Sequence, residues 1–500
     1  MLYYISQIYG IFLTAALTPV FIYLVTKEGY GLIAIGSLVL AWIQVIETGF
    51  TQAISRSVSY STQHYDSLNS SLRNNLRITW WIVMSLSFII FIASDPLSHL
   101  ISQRWLLKDG HMSSISKNCI YLVGLTGAIR LLILFPRAII YGSNKLKTLG
   151  LSSFFLINFR YLLTIAVYFL VDSKSPLYFF ICFLAVSVVE FFLFTIIQNS
   201  IIPIRTLIFG VIDFRNFKSF SNIIVYASFA SFVWCVTTTS DKVILSKILD
   251  LKDFALLNLI TIAAGSIAAI SSPLISAYLP SLLAKYSHDE LSSSKYEYFI
   301  YRFVLYTSLT SFLGAIVTLC SWDLLFLWTR DRTIADDGYK ALLVYGLGFI
   351  IQAYGGLSYY ILLAKGELKR HLWGSIFFAV IYLCLLFSVA DEYGILGAGF
   401  SWLISNFVYL YVWVPFVFRK EEGGLLIKIL FSIPLKTLGG AIVFSLPFVL
   451  FFDYTNSTFH SLFKLFSVVF LSGVGLLIAC EEIRTELKLF CRNFSSPFNL

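Results

Sequence analysis

Five arginines stand inside or at the ends of otherwise apolar stretches: Arg56, Arg130, Arg137, Arg160 and Arg302. Three acids do the same: Glu47, Glu190 and Asp241. A charge in a low-dielectric setting is expensive, so each of these calls for a partner, a water-filled cavity or a ligand. A guanidinium is planar, stays protonated and pairs two oxygens at once, which suits a phosphate or another anionic group. Carboxylates in the same zone suit proton or sodium coupling. Arg130 and Arg137 are seven residues apart, two turns along one helix face. Arg160 lies about 14 Å into its run at 1.5 Å per residue, and Asp241 about 12 Å into its own. We therefore expect Arg56, Arg130, Arg137 and Arg160 to bind an anionic substrate group and Glu47, Glu190 and Asp241 to couple an ion. A plainer reading stands beside this one. Arg56, Arg137 and Arg302 are near enough to run ends to snorkel toward water. Arg130 and Arg160 are too deep for that and would otherwise pair with Glu190 or Glu47. Asp241 beside Lys242 would then be a local charge arrangement.

The elements that hold these charges are membrane-length helices. The chain has 500 residues, 58% hydrophobic and 13% charged, with a mean hydropathy of +0.82. A soluble chain carries roughly 25% charged residues. Apolar runs of about 20 residues recur throughout, the length of a bilayer-spanning helix. Fourteen helices are expected, near 3–25, 31–55, 78–94, 118–141, 151–171, 177–199, 221–249, 254–280, 299–322, 339–363, 371–390, 395–418, 432–452 and 461–480. A β-barrel would show short alternating segments instead. No polar stretch exceeds roughly 25 residues, too few for a soluble domain. The first helix lacks a basic leader and is expected to be retained. The net charge of +9 raises nucleic acid as a partner, but basic cytoplasmic loops explain it better. The seven cysteines are scattered without a CxxC and the six histidines do not cluster, so neither a disulfide, a metal nor a cofactor is expected. Prolines 19, 136, 273, 280, 415 and 447 interrupt apolar runs and would bend helices. Tyr354, Tyr359 and Tyr360 are of a type that stacks on sugars, although packing is their commoner role.

With both termini cytoplasmic, the cytoplasmic loops hold more than twice as many Lys and Arg as the opposite ones, the expected bias. The chain also repeats itself. Lys27-Glu28-Gly29-Tyr30-Gly31-Leu32 after the first helix matches Lys252-Asp253-Phe254-Ala255-Leu256 after the seventh. Asn144-Lys145-Leu146-Lys147 before the fifth matches Gly366-Glu367-Leu368-Lys369 before the eleventh. Six helices separate the copies, and an even number gives parallel repeats related by an axis along the membrane normal. The expected organisation is a six-helix lobe at 1–220, a second at 221–420, and two further helices with a tail at 421–500.

Several motifs resemble the polysaccharide-repeat flippases, the Wzx-type O-antigen transporters of the multidrug/oligosaccharidyl-lipid/polysaccharide superfamily. They are Glu28-Gly29-Tyr30-Gly31-Leu32, then Glu47-Thr48-Gly49-Phe50 through Arg56, then Asp241-Lys242-Val243-Ile244-Leu245. Lys365-Gly366-Glu367-Leu368-Lys369 and Tyr393-Gly394-Ile395-Leu396-Gly397-Ala398-Gly399 complete the set, and the resemblance covers about the first 420 residues. It implies an all-α polytopic membrane protein with two six-helix lobes in a V-shaped arrangement plus two C-terminal helices. It implies alternating access that moves an undecaprenyl-diphosphate-linked oligosaccharide across a bacterial inner membrane. H+ or Na+ would drive it, membrane lipid would hold the tail, and polysaccharide assembly proteins would be partners. Family members often carry basic residues in the first helix; here none precedes Lys27, which moves the phosphate site toward Arg56, Arg130 and Arg160. A lipid II flippase or a multidrug/cation antiporter would share the fold, though deep arginines argue against a cationic cargo. A membrane enzyme such as an O-antigen polymerase would need a large outer loop or an acidic motif in the first outer loop. The outer loops expected here are short, and Asp336-Asp337 reads as a solvated pair, so no enzyme is expected.

Overall fold

The computed structural model describes residues 2–64, 70–104, 113–210, 212–213, 217–268, 308, 310–364, 368–418, 423–451, 458–481 and 483–484. Among the described residues fifteen helical segments run in order: α1 (Leu2–His64), α2 (Ser70–Arg104), α3 (Ser113–Gly142), α4 (Leu146–Val171), α5 (Leu177–Asn199), α6 (Ile204–Ile208), α7 (Phe217–Ile248) and α8 (Leu251–Ala268). Then come α9 (Thr310–Leu319), α10 (Ser321–Thr329), α11 (Arg332–Ala364), α12 (Leu368–Val408), α13 (Val414–Phe418), α14 (Gly423–Phe451) and α15 (Thr458–Ala479), with a π-turn at Tyr409–Trp413 before α13. Among the described residues there is no strand. This is an all-α, multi-pass membrane architecture.

Nine helices among the described residues are long and apolar enough to cross a membrane. Two of them are far too long for one crossing, at 55 and 50 residues, because a bilayer core of about 30 Å takes only about 20. Each is a pair of helices joined at one residue. α1 breaks at Thr26 (φ 70, ψ 167) and α12 at Gly394 (φ 53, ψ −128). Side-chain contacts show that the chain reverses at both. Phe21 packs edge-on against Phe179, while Gly36, past the break, lies against Phe180. Phe377 stacks on Trp413 and Tyr382 meets Trp402 edge-on, again on opposite sides of the break. The expected helices 3–25 with 31–55, and 371–390 with 395–418, are thus α1 and α12.

The other expected helices fall on α2, α3, α4, α5, α7, α8, α9, α11, α14 and α15. Residues 269–307 and 365–367, which include Arg302, Pro273, Pro280 and part of the second repeat, lie outside the described residues. One expectation is corrected. The stretch 323–338 reads in the sequence as an outer loop, yet it is helical over most of its length: α9 bends by 80° into α10, and α11 follows at once. Asp336 is not simply solvated, since it accepts from Trp322 Nε1 at 2.7 Å and from Arg332 Nε at 3.2 Å.

Packing divides the chain into two compact units, 1–255 and 256–500. In the first, the second segment of α1 packs on α3 and α7, and α3 also packs on α2 and α5. α7 runs antiparallel to that segment: Trp42 meets Phe232, and Gly49 lies against Ser228 and Ile224. The 220/221 division comes from the sequence repeat, whereas α7 groups by contact with the first unit. The repeated turns themselves meet there, with Lys252 Nζ 3.2 Å from Glu28 Oε1 and Gly31 against the Leu251 carbonyl. The first core gathers Phe50, Ile54, Leu76, Trp80 and Phe135. In the second unit Ile350, Tyr354, Leu410, Val414 and Leu476 form the core. Tyr354 is buried and bonds the Ser311 hydroxyl, a packing role.

The last helix turns its polar and small residues inward and its large apolar ones outward, as lipid favours. α15 buries Ser461, Lys464, Ser472 and Gly475 and exposes Phe459, Phe463, Phe466 and Phe470.

Candidate functional site

The first unit brings five of the seven sequence-selected residues into two groups. Helix periodicity places Arg130 and Arg137 on one face of α3, and α3 continues through Pro136. Each arginine reaches a different neighbour. Arg130 Nη2 lies 3.7 Å from Glu47 Oε2 on α1. Arg137 Nη1 lies 3.9 Å from Glu190 Oε1 on α5. Arg160, from α4, donates through Nη2 to Glu190 Oε2 at 2.8 Å. One carboxylate therefore receives two guanidiniums from two helices. The charges do not balance: the group of three carries one net positive charge while Glu190 is ionised.

These side chains are only partly enclosed. Glu190 is 13% exposed and Arg160 23%. Aromatic rings flank both guanidiniums, that of Arg160 5.2 Å from the Phe183 ring centre and that of Arg137 5.9 Å from the Phe194 ring centre. Arg160 Nε is buried without a hydrogen-bond partner. The guanidinium thus keeps donor capacity that Glu190 does not use.

A polar seam beside this group escaped the sequence reading. Tyr9 donates to Asn158 Oδ1 at 2.6 Å, and Thr14 and Tyr161 hydroxyls lie 2.7 Å apart. Both bonds tie α1 to α4. Asn158, Arg160 and Tyr161 are consecutive or nearly so, which was the available signal: three polar-tipped residues inside one apolar helix.

The remaining two candidates stand elsewhere. Arg56 is exposed on α1 and has no ion pair among the described residues. Asp241 is buried on α7, and its Oδ1 accepts from the Lys242 backbone N–H at 2.8 Å.

The second unit holds a charge pair that the sequence reading missed. Lys464 Nζ on α15 lies 3.1 Å from Asp323 Oδ2 on α10, and both side chains are 1% exposed. Lys464 lies in an apolar helix and signals itself as a buried charge; Asp323 was hidden by the misread loop. A cavity of about 280 Å³ in the same unit is lined by apolar residues such as Phe312, Ile316, Leu324 and Leu465 and offers no anion site.

No protein-family model matches the sequence, and no curated protein matches it. Solved structures do match the fold. A lipid II flippase MurJ in an inward closed conformation superposes with a TM-score of 0.70 at 14% identity, covering 95% of this chain and 98% of that one. A multidrug resistance MATE family transporter of the MOP superfamily, in an inward-facing conformation, gives 0.70 at 13% identity, covering 83% and 95%. A MOP superfamily transporter from Pyrococcus furiosus gives 0.57 at 14% identity, covering 85% and 95%. The chain has the MOP transporter fold. The Arg130–Glu47 and Arg137–Arg160–Glu190 groups are built from α1, α3, α4 and α5, and the Asp323–Lys464 pair ties α15 to α10.

Proposed function

We propose that the protein is a flippase that moves an undecaprenyl-diphosphate-linked oligosaccharide, an O-antigen or other surface-polysaccharide repeat unit, across a bacterial inner membrane by alternating access. The observation that carries this reading is the convergence of Arg137 and Arg160 on Glu190. Two planar donors aimed at a pair of oxygens are also what a phosphate oxygen pair requires. The carboxylate holds the place of the cargo's anion until the cargo arrives. Arg130, with Glu47 as its counterpart, extends the cationic zone, and Arg56 lies on the same α1 segment as Glu47. Glu190 and Glu47 are the groups whose protonation would release the arginines, which links proton uptake to anion capture. Asp241 is the corresponding acid on α7.

Extent of similarity favours a lipid-linked cargo over a drug. The lipid II flippase matches 95% of the chain, so α14 and α15 have counterparts in it at least in part, whereas the MATE transporter leaves 17% unmatched. Both termini would be cytoplasmic, the lipid tail would stay in the bilayer, polysaccharide assembly proteins would be partners, and no enzymatic step is needed.

The test is deletion of the gene in its native host. Lipid-linked repeat units should accumulate in the cytoplasmic leaflet and surface glycan should fall. Unchanged glycan and leaflet distribution would sink the reading; accumulation of lipid II instead would assign the other cargo.

A further inference from the structure

The second segment of α1 carries a row of polar side chains that the arginine groups do not use. Gln44, Thr48, Gln52 and Arg56 follow one another at four-residue spacing, so they share one side of the helix. Glu47, Thr51 and Ser55 flank them. Every other residue from 43 to 56 is apolar or glycine. The two sides have different neighbours. Phe50, Ala53 and Ile54 enter the core of the first unit, and Gly49 lies against Ser228 of α7. α3 borders the polar side through Arg130, which pairs with Glu47, and through Gly142, which lies against Ser55. Gln44, Gln52 and Arg56 remain exposed.

Exposure has a different meaning in a bilayer. Gln44 stands near the middle of the stretch from the break at Thr26 to the end of the membrane span at Ser59. Hydrocarbon cannot hydrogen-bond a primary amide, so an exposed amide at that depth lines water or a ligand. Neither glutamine amide has a partner among the described residues. The side-chain bonds made to these two residues end on their backbone carbonyls, from the Thr48 hydroxyl at 2.8 Å and the Ser55 hydroxyl at 3.3 Å. The type of group points to the type of ligand. An amide donates through nitrogen and accepts through oxygen, so it can meet a hydroxyl in either role. It is uncharged, so it favours a neutral polar group where an arginine favours an anion. Gln44 and Gln52 are eight residues apart, about 12 Å along the helix. Thr48 lies between them, its hydroxyl oxygen still able to accept. A row of uncharged donors and acceptors of that length fits several linked sugar rings better than one small molecule.

We propose that Gln44, Thr48 and Gln52 form a recognition face for the hydroxyls of the cargo's glycan, separate from the arginines that take its diphosphate. The inference rests on the flippase reading above and deepens it. The row is continuous with the cationic zone, since Glu47 and Arg130 stand beside it and Arg56 ends it. A cargo whose anionic group meets the arginines can therefore lay its sugars along α1. The two sets of residues have different tasks. Guanidiniums grip every diphosphate-linked lipid alike, whereas the amides respond to which hydroxyls the sugars present, so Gln44 and Gln52 set specificity among glycans.

The experiment measures binding of two radiolabelled lipids to the purified full chain. One is the undecaprenyl-diphosphate-linked repeat unit extracted from the native host; the other is undecaprenyl diphosphate without sugar. Wild type should bind the glycosylated lipid several-fold more tightly. Gln44→Leu combined with Gln52→Leu suits a membrane helix and should keep the fold, checked by thermal unfolding. It should erase the preference and leave binding of the sugar-free lipid unchanged. Gln44→Asn combined with Gln52→Asn keeps both amides and should recover part of the preference. Equal binding of the two lipids by wild type overturns this proposal and leaves the diphosphate reading standing. A preference that survives in the folded leucine variant overturns it too, as does an equal loss of both lipids, which would assign the amides to the anion site. Binding of neither lipid by wild type overturns the cargo reading together with this one.

Discussion

Arg160 Nη2 donates to Glu190 Oε2 at 2.8 Å, while the other oxygen of the same carboxylate faces Arg137 at 3.9 Å. Removing the acid and removing a base should therefore have opposite effects on anion binding. Glu190→Gln leaves two guanidiniums without their carboxylate. It should bind a fluorescent undecaprenyl-diphosphate analogue several-fold more tightly and export more slowly, since release is impeded. Equal or weaker binding would show that Glu190 does not compete with the cargo.

Arg160→Ala strands a carboxylate that is 13% exposed. Breaking a fully buried pair costs about 3–5 kcal/mol, and partial exposure together with Arg137 should reduce this to roughly 1–3 kcal/mol. Thermal unfolding of the detergent-purified protein would measure it. Combining Arg160→Ala with Glu190→Ala should recover part of the loss, because no unpaired charge remains on Glu190.

Arg130 is more exposed and its contact to Glu47 is longer, so Arg130→Ala should cost no more than about 1 kcal/mol. Its effect on export should be far larger, down to background in a complementation assay with protein levels unchanged. Normal export would remove Arg130 from the anion path.

The two one-residue breaks make opposite predictions. Thr26 adopts φ 70 and ψ 167, a region that glycine occupies readily and that costs other residues roughly 1–3 kcal/mol. Thr26→Gly should raise the unfolding temperature, less about 0.5–1 kcal/mol for the added chain freedom. Gly394→Ala, at φ 53, should lower it. A thermal-shift comparison of the two variants decides both signs.

Gly440 of α14 and Gly475 of α15 touch through their backbones, and a Cβ on Gly440 would come within 2.6 Å of the Gly475 carbonyl oxygen. Small residues allow this approach between membrane helices. Gly440→Ala should cost about 1–3 kcal/mol because backbone cannot yield as a side chain can.

Much of the architecture is legible in the sequence because a bilayer imposes length and hydropathy on every crossing. The Lys27 and Lys252 turns, whose sequences match, meet in space. The deep arginines and acids also announced themselves, since a charge in an apolar run is conspicuous. Their partners did not. Arg130 and Arg160 each had Glu47 or Glu190 to choose from, and only the packing of α3 against α1 and of α4 against α5 decides which acid each one meets. The Asp323–Lys464 pair was hidden for a different reason. A helix that bends by 80° leaves its polar residues looking like a loop, and hydropathy cannot tell a solvated aspartate from one folded back under a helix.

The breaks at Thr26 and Gly394 have a consequence for anyone mapping which ends of these helices face which side of a membrane. A hairpin that reverses at a single residue exposes no slack backbone for a protease to seize or an antibody to grip. It also offers no room for a reporter tag, because any insert there must unwind a helical turn first. Topology mapping should therefore avoid these two corners and place its labels elsewhere on the surface.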